Sequence, residues 1–229
     1  DTGGLNLKPG SSMAGMKKDM GGSANVLALT RMMLELNYPC QLQVLIPAVE
    51  NSVSGNAFRP QDILISRKGL SVEINNTDAE GRLILADALT YAGESDPDLI
   101  VSMATLTGAA RVAVGRDLAP FFAGTQKNAM ALMTSSEMAK DPVWQLPFWD
   151  PYEDLIEPGI ADLDNAPKGG AGGAITAALF LRRFVPDPDR YIHLDIFAAN
   201  ATAKPGRPLG GATQGARALF HALDDLVRP

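Results

Sequence analysis

Residues 80–104, EGRLILADALTYAGESDPDLIVSMA, decide the fold, because a helical pattern over 80–91 is followed at once by the short apolar run DLIVSMA over 98–104. A run of that length with no polar face is the mark of a strand buried on both sides. The same step repeats outward in both directions. Upstream, Val26, Leu27, Leu29, Met32, Met33 and Leu36 recur at helical spacing, with Ser23 after Gly21-Gly22 as the expected N-cap, and residues 41–49 (Leu42, Val44, Leu45, Ile46) follow as a second expected buried strand. Downstream, residues 118–123 and 191–197 read as strands, and 171–184 and 214–226 as helices. Alternation of this kind predicts an α/β fold with a mainly parallel sheet covered by helices on both faces, a three-layer αβα arrangement. In such sheets, sites form at the loops leaving the carboxyl ends of the strands.

Composition agrees and narrows the function. The 229 residues are 46% hydrophobic and 20% charged, enough for a real core. Lys and Arg total 20 against 26 Asp and Glu, a formal charge of −6, so the basic footprint of a nucleic-acid binder is missing. One cysteine, Cys40, excludes an internal disulfide framework, and two histidines, His193 and His221, exclude a His-rich zinc site. No apolar run is long enough to span a bilayer, so no membrane partner is expected. The glycine-rich stretch 169–173 leads directly into an expected helix and reads as a tight connection rather than a domain boundary.

The familiar catalytic signatures are missing: the chain has no G-x-G-x-x-G, no P-loop, no G-x-S-x-G and no H-E-x-x-H. If the protein is a metal-dependent hydrolase, carboxylates must hold the metal. The candidate stretch is Asn75-Asn76-Thr77-Asp78-Ala79-Glu80-Gly81-Arg82. It admits two readings. Thr77-x-x-Glu80 fits a capping box at a helix start. Alternatively, in an extended lead-in Asp78 and Glu80 project to the same side and, with Arg82, face one spot. Asp1 and Asp19 each lie close to a glycine pair, Gly3-Gly4 and Gly21-Gly22, where backbone can approach closely and leave a carboxylate in a loop. Taken singly, these acids default to capping, and Lys8 and Lys17-Lys18 to solvated charge.

In combination they do not. The segments Asp1-Thr2-Gly3-Gly4-Leu5-Asn6-Leu7-Lys8-Pro9, Met16-Lys17-Lys18-Asp19-Met20-Gly21-Gly22 and Asn76-Thr77-Asp78-Ala79-Glu80-Gly81-Arg82 resemble the leucyl aminopeptidase family of dinuclear metallopeptidases. Ala104-Thr105-Leu106-Thr107-Gly108-Ala109 and His193-Leu194-Asp195-Ile196 look like further family segments, so the resemblance runs along essentially the whole chain. It implies that residues 1–229 are the C-terminal peptidase domain of a metal-dependent aminopeptidase. It also implies two divalent ions, Zn, Mn or Mg, held by Asp1, Asp19, Asp78 and Glu80, with Lys8 polarising the scissile carbonyl and Arg82 holding a bicarbonate that acts as general base. Substrates would be peptides with a free N-terminus, and the assembly a cytoplasmic homohexamer. Met16, Thr105, Gly108 and Phe197 would border the substrate side-chain pocket, beside Lys8.

The first residues lack an initiator Met and open inside a motif, so upstream sequence, comprising an N-terminal domain and the first strands, is expected. The family's metal shell includes a lysine a few residues before the motif Asp, so the 229-residue chain alone is expected to bind metal weakly and to show little activity. Two rival functions share the residues: another two-metal hydrolase such as a phosphoesterase, and a catalytically silent scaffold in which Asp78 and Glu80 only cap a helix. His193 and Cys40 are expected to be structural. Trp144, Phe148, Trp149 and Tyr152, interleaved with Pro147 and Pro151, should anchor a loop against the core or a neighbouring subunit.

Overall fold

The computed structural model describes residues 2–227; Asp1, and with it the expected first metal ligand, lies outside the described residues, as do Arg228 and Pro229. A short helix α1 (Gly10–Met13) and a 3-10 turn (Met16–Met20) lead into α2 (Gly21–Glu35). Strands β1 (Ile63–Ile65) and β2 (Ser71–Glu73) pair as a hairpin, and α3 (Gly81–Gly93) leads to β3 (Ile100–Ala104). Helix α4 (Gly108–Val114) precedes β4 (Ala119–Ala123), and α5 (Gln126–Ala139) precedes β5 (Val143–Gln145). Strand β6 (Leu163–Asp164) is followed by α6 (Gly173–Arg182), β7 (Tyr191–Asp195), the small pair β8 (Ala199–Asn200) and β9 (Gly210–Gly211), and α7 (Ala216–Val227).

The central sheet has the order β3-β7-β4-β5. Its β3–β7 and β4–β5 pairings are parallel, and β4 runs antiparallel to β7. A smaller sheet, β1-β2-β6, sits beside it, with β2 and β6 parallel. Strand alternation sends successive side chains to opposite faces. On β4, Phe121 packs with Leu132 of α5 and Leu219 of α7, while Phe122 packs with Ala110 of α4 and Ala178 of α6. On β7, Ile192 and Leu194 join the first cluster, and Tyr191 packs with Leu89 of α3 and Phe180 of α6. Both faces are therefore covered, which is why these strands carry no polar side, and the three-layer α/β expectation holds.

The seven expected elements at 23–36, 80–91, 98–104, 118–123, 171–184, 191–197 and 214–226 fall on α2, α3, β3, β4, α6, β7 and α7. Residues 41–49 do not behave as expected. They carry no strand pairing, and their side chains are exposed or half-buried. A strand exists only through a neighbour that takes its backbone hydrogen bonds. Here an open trough separates this segment from β3, with Gln41, Val44 and Ile46 lining the trough together with Leu99, Val101 and Met103.

Two glycines set how closely α2 approaches the sheet. A Cβ on Gly22 would lie 2.3 Å from the Met103 carbonyl oxygen, and one on Gly21 would lie 2.2 Å from Ala198 Cβ. The first turn of α2 therefore rests directly on the carboxyl end of β3, and Asp19, immediately upstream, is placed over that strand end.

Candidate active site

The trough has a volume of about 2060 Å3, and its wall includes Lys8, Met16, Asp19, Asp78, Glu80, Arg82, Thr105, Gly108 and Phe197. All the expected site residues other than Asp1 thus line one space, brought there by the loop after residue 2, the turn before α2, the turn before α3 and the loops leaving β3 and β7.

The capping reading of Thr77-x-x-Glu80 fails. Helix α3 starts at Gly81, Glu80 occupies the N-cap position, and no side chain caps it. Thr77 is fully buried and engaged elsewhere. Its Oγ1 accepts from the Asn6 N–H at 2.7 Å and donates to Asn6 Oδ1 at 2.8 Å, and its own N–H donates to Asn6 Oδ1 at 2.8 Å. The lead-in is also not extended: Thr77 and Asp78 form a turn, with the Ala79 N–H donating to the Asn76 carbonyl at 3.1 Å. The two carboxylates still meet at one place, because the turn brings both to Lys8.

Lys8 Nζ is ion-paired with Asp78 Oδ1, and both side chains are largely withdrawn from solvent. Glu80 Oε2 accepts from Asn51 Nδ2 at 2.8 Å, and the same amide donates to the Thr77 carbonyl at 2.9 Å. Burial pushes the Glu80 carboxyl above its ordinary range. The Lys8 charge opposes that rise, and the Asp78 charge adds to it. Gly3 lies against this pair, since a Cβ there, at φ +74°, would be 2.8 Å from Asp78 Oδ1. The glycine pair after the first residues thus lets the backbone fold back onto the carboxylates.

Asp19 is fixed separately. Its Oδ1 accepts from Thr105 Oγ1 at 2.7 Å and from Lys18 Nζ at 2.6 Å, while its Oδ2 is buried without a hydrogen-bond partner. A buried carboxylate oxygen left without a partner, on a residue of the trough wall, suits a cation. Among the described residues no three His, Cys, Asp or Glu side chains converge closely enough to hold a metal ion. Like charges without a balancing cation stay apart, and Lys8 already occupies the space on Asp78.

Arg82 is the second unbalanced group. Its Nε and Nη1 are buried with no hydrogen-bond partner, and its guanidinium lies 5.9 Å from the Phe180 ring centroid. Burial lowers it to about 10, while Asp195 and Asp164 hold it up. It faces both the trough and a small adjoining cavity of about 120 Å3 lined by Lys168, Gly170 and Thr176. Two unused donors on a buried cation are of the kind that can hold a small anion.

Three site residues escaped the sequence reading. Asn51, two residues past the stretch 41–49 expected as a strand, is the clamp for Glu80. Asn6 holds Thr77. Asp195, at the end of β7, accepts from the Leu106 and Thr107 N–H groups at 2.9 and 3.0 Å and from Thr107 Oγ1 at 2.6 Å, which shapes the loop carrying Thr105 and Gly108. Its burial pushes it up to about 6. Position after an apolar run was the available signal for Asn51, and Asp195 stood in a family-like segment without a role. The structural expectation for His193 holds: it is fully buried, with Nδ1 2.8 Å from Ser102 Oγ. Cys40 is a free, exposed thiol outside the core. In the aromatic loop Phe148 packs against Phe122 and Tyr191, whereas Trp144 and Trp149 stay half exposed.

Comparison with known proteins places these observations. Residues 1–220 match the model of the cytosol aminopeptidase family, catalytic domain. A probable cytosol aminopeptidase of Syntrophotalea carbinolica is 44% identical over 226 residues, which is 98% of this chain and 45% of that protein. One from Xanthomonas axonopodis pv. citri is 45% identical over 219 residues, covering 93% of this chain and 44% of that protein. The chain thus spans less than half the length of these curated relatives. Among solved structures, cytosol aminopeptidase from Coxiella burnetii superposes with a TM-score of 0.95 at 47% identity, over 100% of this chain and 50% of that one. The bottromycin maturation enzyme BotP in complex with Mn superposes with a TM-score of 0.92 at 35% identity, over 100% of this chain and 51% of that one.

Proposed function

The chain belongs to the cytosol aminopeptidase family, and from that premise we propose that residues 1–229 form the catalytic domain of a metal-dependent aminopeptidase that removes N-terminal residues from peptides. The observation that carries this reading is the pairing in one trough of a buried, unpartnered carboxylate oxygen on Asp19 with the Asp78–Lys8–Glu80 cluster.

Asp19, Asp78 and Glu80, with Asp1, would hold two divalent ions of the Zn, Mn or Mg type; oxygen donors accept all three. Such ions, when bound, polarise a carbonyl and make water nucleophilic near neutral pH. Asn51 and Thr105 hold Glu80 and Asp19 in place. The acidic wall attracts a free α-amine, which selects the end of a peptide over its interior. Lys8 would donate to the carbonyl oxygen as negative charge develops on it. Arg82 has the free donors to hold a bicarbonate, which would take a proton from the attacking water.

Among the described residues no helix is long and apolar enough to cross a membrane. A cytoplasmic homohexamer acting on peptide substrates completes the reading. To test it, the longest available form of the protein, loaded with Mn, is assayed on an unblocked peptide, its N-acetylated form and a phosphoester. Release from the unblocked peptide alone is expected. Equal cleavage of the acetylated peptide removes the role of the free amine, and cleavage of the phosphoester alone replaces the reaction.

A further inference from the structure

Three cations of the trough converge on one aromatic ring. Lys18 Nζ lies 5.2 Å, Arg111 Cζ 5.5 Å and Arg116 Cζ 5.1 Å from the Phe197 ring centroid. The three come from different elements: the turn before α2, helix α4 and the loop after it. Each ring contact is favourable, but no two of the cations can be more than about 11 Å apart, so they also repel one another. The carboxylates nearest in sequence are taken: Asp19 is bound by Lys18 and Thr105, and Asp117 by Lys204. Among the described residues the guanidinium groups of Arg111 and Arg116 make no ion pair. In a protein of net charge −6, Lys18 is answered by Asp19, whereas Arg111 and Arg116 bring two cations to the same ring with no acid paired to them, which suits the binding of an anion.

Its position fixes what it would meet. Lys18 is hydrogen-bonded to Asp19, so the collar begins one contact from a carboxylate of the candidate metal site. Arg111 Nη2 lies 3.6 Å from where a Cβ on Gly108 would stand, so the guanidinium leans back over Gly108 on the trough wall. Resting on the aminopeptidase reading, which holds the substrate α-amine at the carboxylates, the first side chain of the peptide is the one that reaches Phe197.

We propose that Lys18, Arg111 and Arg116 around Phe197 form a carboxylate-binding subsite that makes the enzyme prefer peptides with an N-terminal acidic residue, glutamate above all. The aliphatic part of a glutamate lies on the ring face, and its carboxylate neutralises the collar. Arginine suits this role because its planar fork can grip both carboxylate oxygens.

The test compares isosteric pairs on the longest available form of the protein, loaded with Mn: Glu-Ala-Ala against Gln-Ala-Ala, and Leu-Glu-Ala against Leu-Gln-Ala. A kcat/KM ratio of about tenfold for Glu over Gln at the first position is expected, because a hydrogen bond to a charged group outweighs a neutral one by about that factor. The ratio should fall toward one in Arg111→Met/Arg116→Met and shrink in high salt. Both arginines are exposed, so the double variant should fold, and its melting curve checks this. Product inhibition gives an independent readout, with free L-glutamate inhibiting more tightly than L-glutamine in the parent only. A ratio near one, a preference confined to the second position, or a ratio unchanged in the double variant overturns the subsite. Failure to hydrolyse any of the four peptides overturns the aminopeptidase reading itself, and the subsite with it.

Discussion

Lys8 and Asp78, seventy positions apart in sequence, form an ion pair in the trough. One lysine thus answers the charge of one of the two acids, Asp78 and Glu80, on its wall. If that lysine also serves the reacting carbonyl, Lys8→Ala should lower kcat and kcat/KM together, by about a hundredfold or more, as loss of an oxyanion donor does elsewhere. Metal content, measured by elemental analysis, should stay close to the parent. A change confined to KM would assign Lys8 to ground-state binding instead.

Asn51 predicts a different signature. Its amide is the hydrogen-bond partner of Glu80 and also holds the Thr77 carbonyl. Asn51→Ala leaves both acceptors unsatisfied, which costs about 1–3 kcal/mol for each buried group. Metal affinity should therefore fall, with kcat recovered at saturating Mn. If Mn titration shows unchanged affinity, Glu80 is not held through Asn51.

Arg82 should show opposite effects on activity and stability. Its Nε and Nη1 are buried and unpartnered, so the folded state carries a desolvation cost that these donors do not recover. Arg82→Met, which keeps the stem volume, should leave the denaturation midpoint unchanged or raise it, while activity and any response to added bicarbonate are lost. Destabilisation by more than about 2 kcal/mol would mean that Asp164 and Asp195 depend on this charge.

The acid limb of stability should carry two opposed contributions from one strand. His193, on β7, is pushed down to about 3 by burial, below its unfolded value. The unfolded chain therefore takes up its proton first, and the stability this group contributes, full above about pH 6.5, is lost as pH falls toward 3, at roughly 1 kcal/mol per unit. Asp195, two residues on, is pushed up to about 6, so between about pH 4 and 6 the folded chain holds the extra proton and stability falls as pH rises. Denaturant midpoints measured from pH 3.5 to 7 should flatten in His193→Phe and steepen in Asp195→Asn. Phenylalanine leaves the Ser102 Oγ contact to the Tyr191 hydroxyl intact. Identical slopes in parent and variants would show that neither group titrates differently on folding.

Gly22 tests the placement of Asp19. A Cβ there would overlap the Met103 carbonyl, which is backbone and cannot swing away. Gly22→Ala should therefore cost about 2 kcal/mol or more by forcing α2 off β3. Metal affinity should weaken with it, because Asp19 moves with the helix start. Thermal melting and Mn titration on the same sample separate a local shift from general unfolding.

The sequence by itself determined the layers and most of the residues that line the trough. Phe121 and Phe122, or Ile192 and His193, must point to opposite faces of a strand, so an all-apolar run already implies cover on both sides; the apolar period of α2, α3 and α7 follows in the same way from local geometry. The residues of the trough were legible too, because Lys8, Asp19, Asp78, Glu80 and Arg82 stand in short segments whose pattern is recognisable without contacts. The tertiary structure alone decided which partners each takes. Thr77 and Glu80 look like a capping box at any distance from Asn6 and Asn51, and only long-range hydrogen bonds draw their side chains away from capping each other. Residues 41–49 have the composition of a strand, yet pairing depends on a neighbour, and across the trough none is present among the described residues. The convergence of Lys18, Arg111 and Arg116 on Phe197 joins positions up to 179 residues apart. No local period encodes such a meeting, because it results from packing α2, α4 and the loop after β7 around the end of one sheet.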